Sequence, residues 1–469
     1  MENILYQFNE KVISLVKKFL ENSIKDGGLS NFTDDLMSEM AKLGTETAEF
    51  VVNYAEEIIF KLEGRKEKFE SLEKDSRHII TTFGDISFRR RYYLDKETKK
   101  RVYLLDEYMK LQPKQRMLEN VRERLISEAT ESNYEKAGRR AAYGTVITKE
   151  TVMNEIEKLD LNKIEEREAE EKKQVKQLYI IADEDHVHLQ KGGIEEPRLV
   201  TVYEGIISQG KRVKLQGKKT FGGIYKGKID DLWEEVMTYI EKQYDTEYLE
   251  TVYISGDGAS WIKTGLEWIV KSKYVLDEFH MWKAVNGILG RRRKNEKDEK
   301  EEQRKAIKEA VRKLNFEKFK EISYEILAEE MDKSTRERKE QQMNYILNNE
   351  EGIRNLYSEE NELHGCSAEG HVSHILSDRM SSRPMGWKTA NVNNMSKLRV
   401  LRDNKVSVKE ILRSQSKESE FKEIEKIRHQ ANAKIKEGLK VKTGSIPMLD
   451  MGTKEQRQIF ENLLGYRVA

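Results

Sequence analysis

Apolar positions along the chain alternate between two spacings, and each change of spacing marks a change of element. Phe8, Val12, Leu15 and Phe19 recur every three or four residues, the period of one helix face, and Gly27-Gly28 stops the pattern. Asn31 or Thr33 stands where a second helix would be capped, its stripe formed by Leu36, Met40, Leu43, Phe50, Tyr54 and Ile58. The pair reads as an α-hairpin or a dimerisation arm. From Arg77 the pattern becomes extended: Ile79-Ile80-Thr81-Thr82-Phe83, Ile86-Ser87-Phe88 and Val102-Tyr103-Leu104-Leu105 predict a small β-meander. Its second strand runs into Arg89-Arg90-Arg91-Tyr92-Tyr93, a basic cluster next to aromatics that could hold a phosphate backbone but more commonly means a solvated strand end.

Helical spacing returns from Met117 to Ala129, from Tyr134 to Ala142 and from Lys149 to Leu159. The break at Tyr143-Gly144-Thr145 and the capping candidate Thr148 make the last two resemble a helix-turn-helix. Thr151, Asn154 and Lys158 would face outward on its second helix, with Arg139 and Arg140 flanking it on DNA. A charged linker, Asn162 to Lys176, then opens a β-rich part with runs at Leu178 to Asp183, Val187 to Leu189 and Leu199 to Tyr203. A helix around Leu232, Trp233, Val236 and Ile240 follows, then a strand from Thr251 to Ser255. Three strands, a helix and a fourth strand is the order of a ribonuclease-H-like α/β core.

After Tyr274-Val275-Leu276 the pattern turns almost wholly helical and charged, from Arg291-Arg292-Arg293-Lys294 through Ile307, Val311, Leu314, Phe319, Ile322 and Ile326. An all-α insertion in the core is therefore expected. The core resumes around Gly365-Cys366-Ser367-Ala368-Glu369, with Val372, Ile375, Leu376 and Arg379 on a helix and Glu369 in its first turn. The expected divisions are an N-terminal helical region (1–75), the small β-meander (76–112) and a helix-turn-helix-like DNA-binding region (113–165). The ribonuclease-H-like core follows in two parts (176–282 and 361–410) around the insertion (283–360), and a helical tail ends the chain (411–469).

Composition narrows the picture little. Apolar residues make up 37% and charged residues 36% of 469 residues, and 85 Lys and Arg balance 84 Asp and Glu. Any nucleic-acid or membrane partner must be met by local patches. Cys366 is the single cysteine, which excludes disulfides within the chain and cysteine-based zinc sites. Met1 to Leu20 alternates charge with apolar residues, unlike a secretory leader, and no run approaches the roughly 18 apolar residues of a membrane helix. A cytoplasmic protein with no membrane partner is expected.

Candidate chemistry centres on carboxylates at strand ends. Asp257 sits between Gly256 and Gly258 at the end of the fourth strand, where the glycines are expected to leave room for a ligand. Asp183 ends the first strand. Asp185, two residues on and facing the same side, competes with it, although Asp183 directly ends the apolar run. A lone aspartate at a strand end is more often a turn or cap than a ligand. In a ribonuclease-H-like sheet, however, strands one and four are neighbours and the last helix crosses them, so Asp183, Asp257 and Glu369 would converge. Hard oxygen ligands with open positions suit Mg²⁺ or Mn²⁺, in a pair of ions about 4 Å apart that serves phosphodiester cleavage or strand transfer. His280, His371 and His374 fit DNA contact or packing better than zinc, since no acidic helix motif accompanies them.

Several segments together resemble the bacterial insertion-sequence transposases of the ISLre-two family, relatives of the Mutator-type enzymes. They are Ala182-Asp183-Glu184-Asp185-His186-Val187, Ser255-Gly256-Asp257-Gly258-Ala259-Ser260-Trp261-Ile262, Leu276-Asp277-Glu278-Phe279-His280, Cys366 to His374, and Arg379-Met380-Ser381-Ser382-Arg383-Pro384-Met385-Gly386-Trp387. The resemblance covers nearly the whole chain. It implies a DNA transposase with Asp183, Asp257 and Glu369 as the metal-binding catalytic triad, acting on element ends and target DNA as a homodimer or higher assembly. Mutator relatives carry Cys-x-x-His after the second aspartate; here the place reads Asp277-x-x-His280, without the thiol. His280 would contact DNA near the scissile phosphate, Arg379 and Arg383 would hold phosphates, and Trp387 would stack a base, unless it is simply buried. Two other readings stay open: a nuclease without strand transfer, and a DNA-binding protein without catalysis.

Overall fold

The computed structural model describes residues 10–14, 16–17, 28–62, 64–162, 168–209, 212–290, 298–358 and 368–415. Phe8, Leu15, Phe19, the run Arg291-Arg292-Arg293-Lys294, Cys366 and the tail beyond Gln415 lie outside the described residues. Two compact units emerge, one ending at Glu155 and the other spanning Ile156–Gln415. Among the described residues no helix is long and apolar enough to cross a membrane.

In the first unit a 34-residue helix, α1 (Gly28–Lys61), packs on a three-stranded antiparallel sheet of β1 (Phe69–Thr81), β2 (Gly84–Asp95) and β3 (Arg101–Val102). Ala55 and Ile59 of the helix meet Ile79, Ile86, Phe88 and Tyr93 of the sheet in one buried cluster. The strands are much longer than the apolar runs because their solvent-facing halves are polar. Leu104 and Leu105, expected in a strand, instead open the short helix α2 (Leu104–Met109), and both are buried. Two adjacent leucines fit either period, and here packing against β2 decides. The arginine cluster is not a free strand end: Arg91 pairs with Glu56 at 3.2 Å and Glu57 at 2.9 Å, and Arg90 with Asp75 and Asp106.

Three helices follow, α3 (Glu119–Glu131), α4 (Tyr134–Arg140) and α5 (Lys149–Glu157), the last of which runs past the end of this unit at Glu155. Asn133 caps α4 by accepting the Lys136 amide, and the Thr148 hydroxyl accepts the Thr151 amide at 3.3 Å at the start of α5. A Cβ on Gly138 would lie 1.9 Å from the Ile147 carbonyl oxygen, so only glycine lets α4 approach the connection this closely.

The second unit is built on a five-stranded mixed sheet. Its strands are β4 (Gln177–Glu184), β5 (Arg198–Tyr203), β6 (Lys219–Gly223), β7 (Thr251–Gly256) and β8 (Ser272–Leu276), in the order β6-β5-β4-β7-β8. β5 is antiparallel to both neighbours, while β4, β7 and β8 run parallel. The parallel strands read as near-continuous apolar runs because both faces are covered. Tyr179 stacks between Tyr203 and Tyr253, and the helix α6 (Ile229–Gln243) buries Leu232, Trp233, Val236 and Ile240.

Two strands differ from expectation. Val187–His188 pairs only with Ile194–Glu195 in a small hairpin outside the main sheet. The third sheet strand is instead Lys219–Gly223, where the sequence, with two glycines in five residues, carries a weak strand signal. Its edge is held by a side chain: the Thr220 amide donates to Asn404 Oδ1 at 2.8 Å and the Thr220 carbonyl accepts from Asn404 Nδ2 at 2.6 Å.

Past β8 the described chain is helical through α7 (Glu278–Leu289), α8 (Asp298–Arg312), α9 (Phe316–Ala328), α10 (Lys333–Asn348) and α11 (Glu350–Leu356). The last of these returns to the sheet. A Cβ on Gly352 would come within 2.5 Å of the Tyr274 ring, and Asn355 Nδ2 donates to the Tyr274 carbonyl at 2.8 Å. α12 (Ala368–Val372) packs on β4 and continues through a π-helical turn (Ser373–Ser377) into Asp378–Met380. Buried Arg399, on α13 (Thr389–Asp403), donates to the carbonyls of Ile375 at 2.6 Å and His374 at 2.7 Å. The basic stretch after Asn391 is thus partly internal. A short helix, Val408–Gln415, ends the described chain.

Candidate functional site

Parallel strands β4, β7 and β8 end side by side, and each is followed at once by an aspartate or ends in one. Ser255 lies opposite Ile181, so the same register carried two residues on sets Asp257 beside Asp183. Gly256 lies opposite Leu276, which sets Asp277 next along the edge, its amide donating to the Gly256 carbonyl at 2.8 Å. The carboxyl ends of parallel strands are where an α/β sheet offers an open crevice to a ligand.

Asp183 and Asp277 are shifted in opposite directions. Burial pushes the Asp183 carboxyl up to about 6; the Glu184 amide pulls against this, and the neighbouring Asp257 charge adds to it. Burial also acts to raise Asp277, but hydrogen bonds from the His280 ring and amide outweigh it and hold the carboxyl below its usual range. Asp277 is 3% exposed, caps α7, and also accepts the Ala368 amide at the start of α12. His280 is raised first by its hydrogen bond to Asp277, against burial, and then by the charges of Asp277, Asp183 and Asp257. The edge therefore carries a carboxylate pair, a structural aspartate and an imidazole held towards its cationic form.

Of the three expected ligands, the structure brings Asp183 and Asp257 together. Glu369 is exposed on α12, next to Ala368, whose amide is bound by Asp277. Among the described residues no three His, Cys, Asp or Glu side chains stand close enough to share one cation. The Asp183–Asp257 pair suits a hard divalent ion: two oxygen donors at adjoining strand ends, one raised by burial and then by its neighbour's charge. Asp185, the competing candidate, is buried and accepts the Ser381 hydroxyl on both carboxylate oxygens at 2.8 and 2.9 Å, which ties the loop after β4 to the segment after α12.

The glycines beside Asp257 serve the protein. A Cβ on Gly256 would lie 2.5 Å from Ile262 Cδ1 and 2.7 Å from the Ala182 carbonyl oxygen. Gly258 has φ +93°, and its Cβ would lie 2.8 Å from Asn349 Oδ1. They admit Ile262, strand β4 and Asn349 at the C-cap of helix α10 into the space expected for a ligand. The Tyr345 hydroxyl, on α10, donates to the Asp257 carbonyl at 2.5 Å, and the Tyr274 hydroxyl donates to the Gly256 carbonyl at 3.1 Å. These two tyrosines and Asn349 had no signal in the local sequence, because their partners lie far along the chain.

The remaining candidates separate by exposure. Trp387 is buried at 5% exposure, donates its indole N–H to the Met380 carbonyl at 2.9 Å and lies under the Arg379 guanidinium at 4.9 Å. Arg379 is itself buried at 4%. Both side chains are packed into the fold and neither is presented to solvent. Arg383 is exposed. His371 is half-buried, with its pKa lowered by burial and by Lys218, and His374 is exposed. In the first unit Arg139 and Arg140 stay exposed while pairing with Glu135 at 2.6 Å and Glu128 at 3.2 Å.

Known proteins share this sequence along nearly its whole length. A UPF0236 protein of Caldanaerobacter subterraneus subsp. tengcongensis, carrying eleven locus designations of that genome, is 35% identical over 459 residues, covering 96% of this chain and 95% of its own. A second UPF0236 protein of that organism is 35% identical over 456 residues, with 96% and 95% covered, and a third is 34% identical over 469, with 95% and 93%. The model of the uncharacterised protein family UPF0236 matches residues 26–418, and the chain belongs to that family.

Proposed function

We propose that this protein is a metal-dependent DNA transposase whose second unit is a ribonuclease-H-like core interrupted by helices α7 to α11. The observation that carries the reading is the pairing of Asp183 and Asp257 at adjoining ends of parallel strands β4 and β7. The sheet order β6-β5-β4-β7-β8, with β5 antiparallel, supports it, as does the multiplicity of loci in one relative's genome, a pattern typical of mobile elements. Asp183 and Asp257 would hold Mg²⁺ or Mn²⁺, with Glu369 as the third ligand once DNA is bound. The metal would supply Lewis-acid stabilisation of charge on phosphate oxygens.

The chain's own residues do the rest. Asp277 holds His280 at the edge of the site and favours its protonated ring, so that it can donate to a phosphate. Arg383, exposed after α12, and Arg139 and Arg140 in the helix-turn-helix-like unit supply backbone contacts. DNA ends and target DNA are the proposed partners, with a second copy of the chain in the assembly. Cleavage of a labelled element end in Mg²⁺, followed by joining of the freed end to target DNA, tests the reading. Cut ends without joined products would indicate a nuclease.

A second reading, a DNA-binding protein without catalysis, draws on the exposed position of Glu369. It predicts DNA binding unaffected by loss of all three carboxylates.

A further inference from the structure

With Trp387 buried, another aromatic ring stands open beside the strand-end acids. Phe279, in the first turn of α7, is 48% exposed. A single exposed apolar residue is ordinary, so its neighbours decide its meaning. The His280 imidazole meets the Phe279 ring edge to face, with centroids 5.3 Å apart at 87°. Lys283, one helical turn on, sets its ammonium 5.8 Å from the same ring. Asn286 continues this exposed face. Glu278, the acid on this turn, is engaged by the Trp282 indole at 3.2 Å. His280 in turn lies in the field of Asp183 and Asp257.

An apolar ring flanked by an imidazole and an ammonium matches the two halves of a nucleotide, a flat base and an anionic phosphate. We propose that Phe279, His280 and Lys283 form a binding site for an unpaired nucleotide, its base stacked on Phe279 and its phosphates held by His280 and Lys283. The proposal rests on the nucleic-acid reading above and adds that the strand is unpaired where it meets Asp183 and Asp257. Because every base has a π face, the site selects single-stranded over paired DNA without reading sequence.

The test uses the full chain in EDTA, so that binding is read apart from cleavage. The probes are a single-stranded oligonucleotide bearing a fluorescent adenine analogue and a duplex of the same sequence. The wild type should quench the analogue on binding. Phe279→Ala should bind the single strand on the order of tenfold more weakly, without quenching, and bind the duplex as before. Phe279→Trp should keep both properties. Wild-type affinity and quenching in Phe279→Ala would overturn the site alone. A wild-type chain that binds neither probe would overturn the site and the transposase reading together. Phe279-dependent binding with no cleavage in Mg²⁺ would overturn the transposase reading and leave the site standing.

Discussion

The Tyr345 hydroxyl donates to the backbone carbonyl of Asp257 at 2.5 Å across 88 residues of chain. The helical segment between β8 and α12 is thereby fastened to the turn that presents a candidate metal ligand. Tyr345→Phe removes that bond alone. It should fold, lose about 1–3 kcal/mol of stability because a part-buried carbonyl loses its partner, and cleave DNA more slowly with little change in DNA affinity. Thermal melts and single-turnover cleavage check this; unchanged melting would show the bond to be dispensable.

Gly258 and Asn349 form the second attachment. Gly258→Ala meets both a left-handed backbone and a contact at 2.8 Å with Asn349 Oδ1. The backbone strain costs roughly 1–2 kcal/mol and the contact adds to it. In a double-mutant cycle, adding Asn349→Ala should recover the contact part and leave the strain. Additive effects would mean that the two positions do not touch.

Asp183 gives the site a pH dependence. Its carboxyl lies at about 6 in the fold against 3.8 ordinarily, so between those values the folded protein binds more protons than the unfolded chain. Stability therefore falls as pH rises from about 4 to about 6 and stays lower above. His280, also raised, adds stability that is complete below about 6.5 and is lost as pH rises through its folded value. Asp183→Asn removes the first effect while keeping an acceptor for the Glu184 amide. It should melt higher than the wild type at pH 8, match it near pH 4 and fail to cleave DNA. A lower melting temperature at pH 8 would contradict the burial assigned to Asp183.

Trp387 and Arg383 should separate stability from binding. Trp387→Ala empties a buried position and should cost about 3–5 kcal/mol. Arg383→Ala should leave melting unchanged, weaken DNA binding and reduce its salt dependence by about one counterion. The reverse pattern would return Trp387 to the DNA.

What the sequence made legible follows from the range of the forces involved. The strands leading to Asp183 and Asp257 are continuous β-branched and aromatic runs, and their ends could be read directly. Lys219–Gly223 could not, since its place in the sheet depends on Asn404, far along the chain. Val187 to Leu189 looks like a sheet strand because so short a run, two apolar residues around His188, does not reveal its pairing partner. The acids could be nominated locally. The reason for the glycines beside Asp257 could not, because Ile262 and Asn349 reach them only in three dimensions. Likewise Arg379 and Trp387 belong to a motif that suggests DNA, and burial shows that part of such a motif maintains the fold.

The measurement closest to the central claim is metal-dependent cleavage of a labelled element end by wild type and Asp257→Asn at equal DNA occupancy. Asp257 is predicted to be indispensable: the variant should bind the end as the wild type does and cut it at least about a thousandfold more slowly in Mg²⁺. Wild-type cleavage by Asp257→Asn would contradict the account.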